Sequence, residues 1–178
     1  MNDIESERLI LRLVPLSGLA ATAARDAEAC RRIIGVKLHE DWFDEAWVSE
    51  LRLKQWKDDP EYAPWSIRAI ALKRTGEIVG NINCHGNPES FEHGGETGLA
   101  IEMGYTIFPP WRRLGFAFEA ITVLSTFASG RGVRWVRLSI APDNAASLAL
   151  ALRLGAFKTG SHIDERNGPE DIYLFETD

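Results

Sequence analysis

Residues Ile101 to Ala120 read IEMGYTIFPPWRRLGFAFEA, a strand-like run joined to a helical one through a turn that carries two arginines and a glycine. Ile101, Met103, Tyr105 and Ile107 alternate with Glu102, Gly104 and Thr106, the period of a strand with two unlike faces. Pro109 and Pro110 stop the pairing, because proline brings no N–H to a ladder. From Gly115 the apolar positions Phe116, Ala117, Ala120, Ile121, Leu124, Phe127 and Ala128 recur at helical spacing, which predicts a helix from near Gly115 to near Gly130.

A helix opening on Leu114, Gly115, Phe116 and Ala117 points unpaired backbone N–H groups at whatever lies in front of it, and this favours an anion. Gly115 and Ala117 leave room for a phosphate near the backbone, while Arg112 and Arg113 bring charge and forked donors. A Walker-type loop is excluded because no Gly-Lys-Ser/Thr follows, and a Rossmann fingerprint because the three-glycine spacing is missing.

The chain of 178 residues carries a net charge of −6, which argues against a nucleic-acid partner. Between Pro109 and Arg137, however, five arginines stand against Glu119 alone, a basic island suited to a polyanionic cofactor. Cys30 and Cys84 have no metal-like spacing and read as buried packing residues in a reducing compartment. The four histidines, His39, His85, His93 and His162, show no paired motif, so no metal site is expected. His85 reads as an ordinary loop histidine, with a lesser claim to touch substrate. With no N-terminal apolar h-region and no run of 18 apolar residues, a cytoplasmic, unanchored protein is the default.

Outward from the central stretch, Arg8 to Val14 predicts a first strand ended by Pro15, and Ser17 a cap for one helix running to about Ile34 and closed by Gly35. A second helix is expected over Asp41 to Lys57, with Trp42, Phe43, Ala46, Trp47 and Leu51 on one side. Its acids and tryptophans read mainly as a wet face and a core face, and only secondarily as a wall for a cationic substrate. Trp65 to Leu72 and Glu77 to Cys84 flank a turn and predict a hairpin, followed by a loop from His85 to Gly95. Val133 to Ile140 reads as a strand. Asp143 or Asn144 can then cap a helix that Leu148, Ala151, Leu152 and Leu154 drive into a core, with Gly155 at its end. Two further strands between Lys158 and Phe175 turn at Glu165 to Gly168. No repeat or linker marks a second domain, so residues 1–178 are read as one.

The pattern Arg112 to Ala117, R-x-x-G-x-A after a strand, resembles the pyrophosphate-binding motif of the GNAT acyltransferases, Q/R-x-x-G-x-G/A. Asn144, Ser147 and Leu154-Gly155-Ala156-Phe157 match the N-x-x-S and helix-end order of that family. The succession RLILR, EMGYTI, RRLGFA with FEA, PDNAAS and RLGAF is most similar to the RimJ/RimL branch of N-terminal acetyltransferases. The resemblance implies an α/β (α+β) fold, a mixed sheet of about seven strands with about four helices, splayed near its centre around acetyl-CoA. It further implies that Ile107 and Phe108 meet the pantetheine arm, that Arg112, Arg113, Leu114, Gly115, Phe116 and Ala117 hold the pyrophosphate, that Asn144 bonds the arm, and that Ser147 lies near the sulfur.

The reaction implied is acetyl transfer from acetyl-CoA to a primary amine, at a peptide N-terminus or on a small molecule, by direct attack. No serine or cysteine sits in a nucleophile motif. A lysine-like ammonium near pKa 10.4 is the free base only about once in 2,500 at pH 7, whereas an α-amino group titrates at about 7.7–8.0 and asks less of a base. Glu102 is the carboxylate best placed by sequence to serve as the base, with either burial expected to raise its pKa or a water to bridge it to the amine. No tyrosine lies between Asn144 and Phe157, a departure from the family pattern that makes Ser147 the expected donor to the leaving thiolate. Tyr105 and Tyr173 are weaker candidates, because Tyr105 should face away from Glu102. Two alternatives stand beside this reading: a non-catalytic acetyl-CoA-binding or sensing module, and an interaction protein whose basic turn binds some other anion. The sequence leaves a homodimer open and suggests no membrane partner.

Overall fold

Strand periodicity and proline punctuation place the sheet's central element where the sequence reading expects it. In the computed structural model, which describes residues 3–34 and 37–177, the order along the chain is β1 (Ile4–Glu5), β2 (Leu9–Leu13), α1 (Leu16–Ala23), α2 (Ala27–Ile34), α3 (Ala46–Asp58), β3 (Arg68–Leu72), β4 (Ile78–Cys84), β5 (Glu89–His93), β6 (Glu96–Ile107), α4 (Phe116–Ser129), β7 (Val133–Ile140), α5 (Ala145–Arg153), β8 (Phe157–Asp164) and β9 (Gly168–Glu176). Three 3-10 turns, Glu40–Phe43, Pro60–Trp65 and Pro109–Trp111, complete it. The strands form one mixed sheet in the order β1-β2-β3-β4-β6-β7-β9-β8, with β5 also paired to β6. All pairings are antiparallel except β6 with β7.

Among the described residues three buried clusters form, of which the two larger follow from the two faces and the third is Ala100, Trp135 and Leu174. On one side Ile101, Met103 and Ile107 of β6 and Val136, Leu138 and Ile140 of β7 pack with Phe116, Ile121 and Leu124 of α4. On the other, Ile67, Ala69, Ile78 and Phe108 pack under α1 and α2 with Leu19, Cys30 and Trp42. Each large apolar side chain so buried contributes about 1.5–3 kcal/mol before chain entropy is counted. Both cysteines are free and buried, as expected.

Among the described residues the strands number nine, not about seven. β1 is two residues long, and β5 lies in the stretch read as a loop, where polar Glu89, Ser90 and Glu92 hide the alternation. The single first helix is two, because Arg25 takes a left-handed φ of 55° and breaks it between Ala23 and Ala27. Gly35, expected to close it, lies outside the described residues. Pro15, not Ser17, occupies the cap position of α1, where no side chain bonds the helix. The second expected helix begins as a 3-10 turn before α3, so its supposed apolar side divides: Trp42 is buried, whereas Trp47 and Leu51 are exposed. Leu152 is also exposed, at 66%, and not in the core as its spacing in α5 suggested. Among the described residues, no helix is long and apolar enough to cross a membrane.

Candidate active site

The parallel ladder between β6 and β7 runs from Leu99↔Val133 to Glu102↔Arg137 and stops there. Both strands go on, β6 to Ile107 beside β4 and β7 to Ile140 beside β9. The sheet therefore splays at Met103, and the β7-side edge of residues 103–107 is left without a strand partner among the described residues. Extended backbone with an open edge is a row of unused donors and acceptors, ready to pair with an extended ligand.

At the end of β6 the chain turns into α4 through two residues with positive φ, Arg113 at 62° and Gly115 at 83°. Gly115 is the N-cap and supplies no side chain, so the first N–H groups of α4 stay unblocked. Arg112 donates from Nε to the Ile107 carbonyl at 2.8 Å, tying the turn back to the strand end. Arg8 reaches the turn from β2's approach, donating to the Leu114 carbonyl at 3.0 Å and to Glu119 at 2.6 Å. Beside it a groove of about 800 Å³ is lined by Arg8, Arg113, Gly115, Phe118, Glu119 and Arg153. Ile107 and Phe116 are buried in the first core, Ala117 is half-buried, and Leu114 is half-exposed. Phe108 turns the other way: its ring lies in the second core and its N–H bonds the Val79 carbonyl at 2.9 Å, so the expected contact with a pantetheine arm does not extend to this side chain.

The basic island does not converge on this turn. α4 is about 21 Å long at 1.5 Å per residue, and Arg131 at its far end lies over Phe127 at 3.6 Å. Arg134 pairs with Glu96 and Glu176, and Arg137 pairs with Glu89. Arg112 and Arg113 remain, joined by Arg8 and Arg153 from elsewhere in the sequence.

The two faces of β6 carry different chemistry. On the α4 and α5 face, the Tyr105 hydroxyl donates to Ser147 Oγ at 3.0 Å. Burial raises the Tyr105 pKa above its ordinary value, against a lowering from that bond, so the phenol keeps its proton. Ser147 is positioned by Asn144, whose side-chain oxygen caps α5 by accepting the Ser147 N–H at 3.1 Å. Tyr105 thus brings a phenolic hydroxyl to the start of α5, and does so because it faces away from Glu102.

On the opposite face, Glu102 Oε1 accepts from His85 Nδ1 at 3.0 Å and from Ser139 Oγ at 2.9 Å. Burial pushes its pKa up, but the His85 and Ser139 bonds and the nearby Arg137 charge outweigh burial and hold it at about 2. The expectation of a raised carboxylate is therefore overturned: Glu102 is a fixed anion, and a poor proton acceptor at neutral pH. His85, read from sequence as an ordinary loop residue, is bolted in place. Its N–H bonds the Glu102 carbonyl at 2.9 Å. Its carbonyl accepts from Gln55 at 2.9 Å and from buried Arg52 at 3.2 Å, and Tyr62 holds the preceding Cys84 carbonyl at 2.6 Å. The His85 ring lies over Gly104, where an added Cβ would come within 2.7 Å of Nε2. A glycine inside a strand marks close approach, and this was the signal in the sequence that could have pointed to His85.

The family model for the acetyltransferase (GNAT) domain matches residues 8–156. No curated protein matches the chain. Among solved structures, the ribosomal-protein-S5-alanine acetyltransferase of Vibrio fischeri superposes with a TM-score of 0.67 at 17% identity, covering 100% of this chain and 98% of its own. The Salmonella typhimurium acetyltransferase that modifies the N-terminal serine of ribosomal protein L7/L12 gives 0.63 at 15% identity, with coverages of 99% and 100%. The microcin C7 self-immunity acetyltransferase MccE, solved with acetyl-CoA and AMP, gives 0.61 at 16%, with coverages of 96% and 93%. These similarities establish the shared fold. With the family match spanning most of its length, the chain belongs to the GNAT acetyltransferases and is an acetyl-CoA-dependent N-acetyltransferase.

Proposed function

We propose that the protein transfers the acetyl group of acetyl-CoA to a primary amine by direct attack, and that an α-amino group, on a peptide N-terminus or a small molecule, is the acceptor it suits best. The observation that carries this reading is the splay beyond Glu102↔Arg137, flanked by the His85–Glu102 pair on one face of β6 and the Tyr105–Ser147 pair on the other. Acyl transfer from a thioester to an amine needs a proton taken at the nitrogen and a proton supplied at the sulfur, on opposite sides of the reacting carbonyl.

The residues fit the donor. The open edge of residues 103–107 offers amides and carbonyls to the pantetheine arm, with Asn144 beside it. The unblocked N–H groups around Gly115, Phe116 and Ala117, with Arg112 and Arg113, suit a pyrophosphate. The groove between Arg8, Arg113 and Arg153 suits the nucleotide end. Tyr105, through Ser147, protonates the departing thiolate, which as a thiol of pKa near 8.5 needs only modest help. The acceptor preference rests on proton affinity: an α-amine at about 7.7–8.0 is far closer to its free base at neutral pH than a lysine at about 10.4. The Vibrio and Salmonella proteins, named for modifying ribosomal proteins, point the same way.

The test is thiol release from acetyl-CoA with a panel of N-terminal peptides, lysine-blocked and N-terminally blocked controls, and small amines. The reading expects turnover that stops when the α-amine is blocked, and no acetylated protein by intact mass when acceptor is omitted. Binding of acetyl-CoA without turnover of any amine would favour the sensing-module alternative instead.

A further inference from the structure

We propose that His85 is the catalytic base of this acetyltransferase, taking the acceptor amine's proton at Nε2, and that Glu102 is the positioning residue that fixes the imidazole in the Nδ1–H tautomer. This rests on the amine-transfer reading above and adds to it the group that does the proton work.

The geometry leaves the imidazole one role. Ionised Glu102 can only accept, so the 3.0 Å contact puts the proton on Nδ1 and the lone pair on Nε2. Nε2 then stands over Gly104, in the first turnless residues of β6 after its pairing with β7 ends, which is where a carbonyl entering the splay meets the acceptor face. The ring is half-exposed, at 44%, so an amine can reach it. Its backbone is pinned at both ends by β6 and by Arg52 and Gln55 of α3, so the ring needs little reorganisation to act. A carboxylate held near 2 is a poor acceptor at neutral pH, which leaves the proton work to the imidazole beside it.

In the step itself the amine nitrogen forms a bond to the thioester carbon as its proton passes to Nε2. The C–S bond then breaks with its electron pair leaving on sulfur, which takes a proton from the Tyr105–Ser147 side. The imidazolium releases its proton to solvent and the Tyr105–Ser147 pair regains one from it, so the sum is amide plus free thiol from amine plus thioester.

The charged and polar groups around the His85–Glu102 pair come from every element packed against it: Glu102 on β6, Ser139 and Arg137 on β7, Asn83 on β4, and Arg52 on α3. Asp164 on the β8–β9 hairpin, its carboxylate lowered by the Asn167 and Arg166 N–H groups, also feels the His85 charge.

The experiment compares wild type, His85→Ala, His85→Gln and Glu102→Gln, in acetyl-CoA affinity and in kcat over pH 5–9. The expected result is a fall in kcat of about 10²–10⁴-fold in both His85 variants, with acetyl-CoA affinity unchanged. Added imidazole should rescue His85→Ala and not His85→Gln. Glu102→Gln should retain part of the activity with the acidic limb of its pH profile moved to lower pH, because the lost anion no longer favours the imidazolium. A long-range proton–nitrogen NMR spectrum of the wild type should show the His85 Nδ1–H tautomer, and this readout does not depend on knowing the acceptor. Normal turnover in both His85 variants, or an Nε2–H tautomer in the wild type, overturns the proposal and leaves the amine-transfer reading standing. A wild type that turns over no amine overturns that reading and this one together.

Discussion

The donor half of the site and its acceptor half are built from different materials. On the donor side the working parts are backbone: an open strand edge, a left-handed glycine at a helix cap, and the first N–H groups of α4. They come from one unbroken stretch of sequence, so the chain shapes them locally. On the acceptor side the working parts are side chains carried in from afar: His85 meets Glu102 across a strand pair, and Ser139 arrives from β7. Binding a constant ligand needs a motif, whereas proton transfer needs a constellation. Mutations should separate the two halves, one changing affinity and the other rate.

Gly104→Ala should have the largest effect in rate after loss of His85 itself. The new Cβ would stand 2.7 Å from Nε2, and the ring, held by Glu102 and a pinned backbone, must leave its position. A fall in kcat on the order of 10²-fold with acetyl-CoA affinity retained is expected from a displaced base. Steady-state kinetics at saturating donor checks it, and equal losses in both parameters would break the separation.

Gly115→Ala probes the other half. A non-glycine residue at φ 83° costs about 1–2 kcal/mol, and relaxing that strain would turn the N-cap. Affinity for acetyl-CoA should drop about tenfold with kcat at saturation little changed, as calorimetry and kinetics together would read.

Tyr105→Phe sits between the halves. It removes the donor to Ser147 while leaving ring packing intact, and because thiolate is a tolerable leaving group the loss in kcat should be only about tenfold. Ser147→Ala, with Tyr105 still present, should cost less. A larger loss for Ser147→Ala, measured side by side, would make the serine the direct proton donor.

The smallest effect at working pH is on stability. Glu102 has a folded pKa of about 2, below an unfolded carboxylate near 4.3, so its contribution is complete above the unfolded value and is lost as pH falls toward 2. Above the unfolded carboxylate value the ionisation of Glu102 itself adds no further pH dependence to the difference in urea midpoint between wild type and Glu102→Gln. That difference should shrink on acidification below about pH 4.

How much the sequence reveals follows the same division. β6, its proline-stopped end, α4 and its glycine cap, the β3–β4 hairpin, β7, the Asn144 cap and the closing β8–β9 hairpin are all local patterns and all stand in the fold, although β3 starts at Arg68 and not at Trp65, which ends the Pro60–Trp65 turn. Arg25 gives no warning that it will adopt φ 55°, since neither glycine nor asparagine marks the break between α1 and α2. β5 is too polar to announce itself, and its pairing depends on β6 being there. Trp47 left the expected core face because its partner is Arg166 of the β8–β9 turn, 4.4 Å from its ring, a contact that spans most of the chain. Glu102 is legible in the sequence as a candidate, but its depressed pKa is not, because that depends on His85 and Ser139. His85 itself requires the β4–β6 register, Cys84↔Met103, before it can be seen to follow onto the face of Glu102. Tyr105 reads from sequence as a weaker candidate because it points away from Glu102, and that same orientation brings its hydroxyl to Ser147.

The most direct test of this division is calorimetric binding of acetyl-CoA to wild type, to His85→Ala and to the double variant Arg112→Ala, Arg113→Ala, with dephospho-CoA as a control. The account predicts micromolar binding that His85→Ala leaves unchanged and the double arginine variant weakens by at least about tenfold. Binding that falls with His85 and survives loss of both arginines would contradict it, by placing the donor on the face assigned to the acceptor.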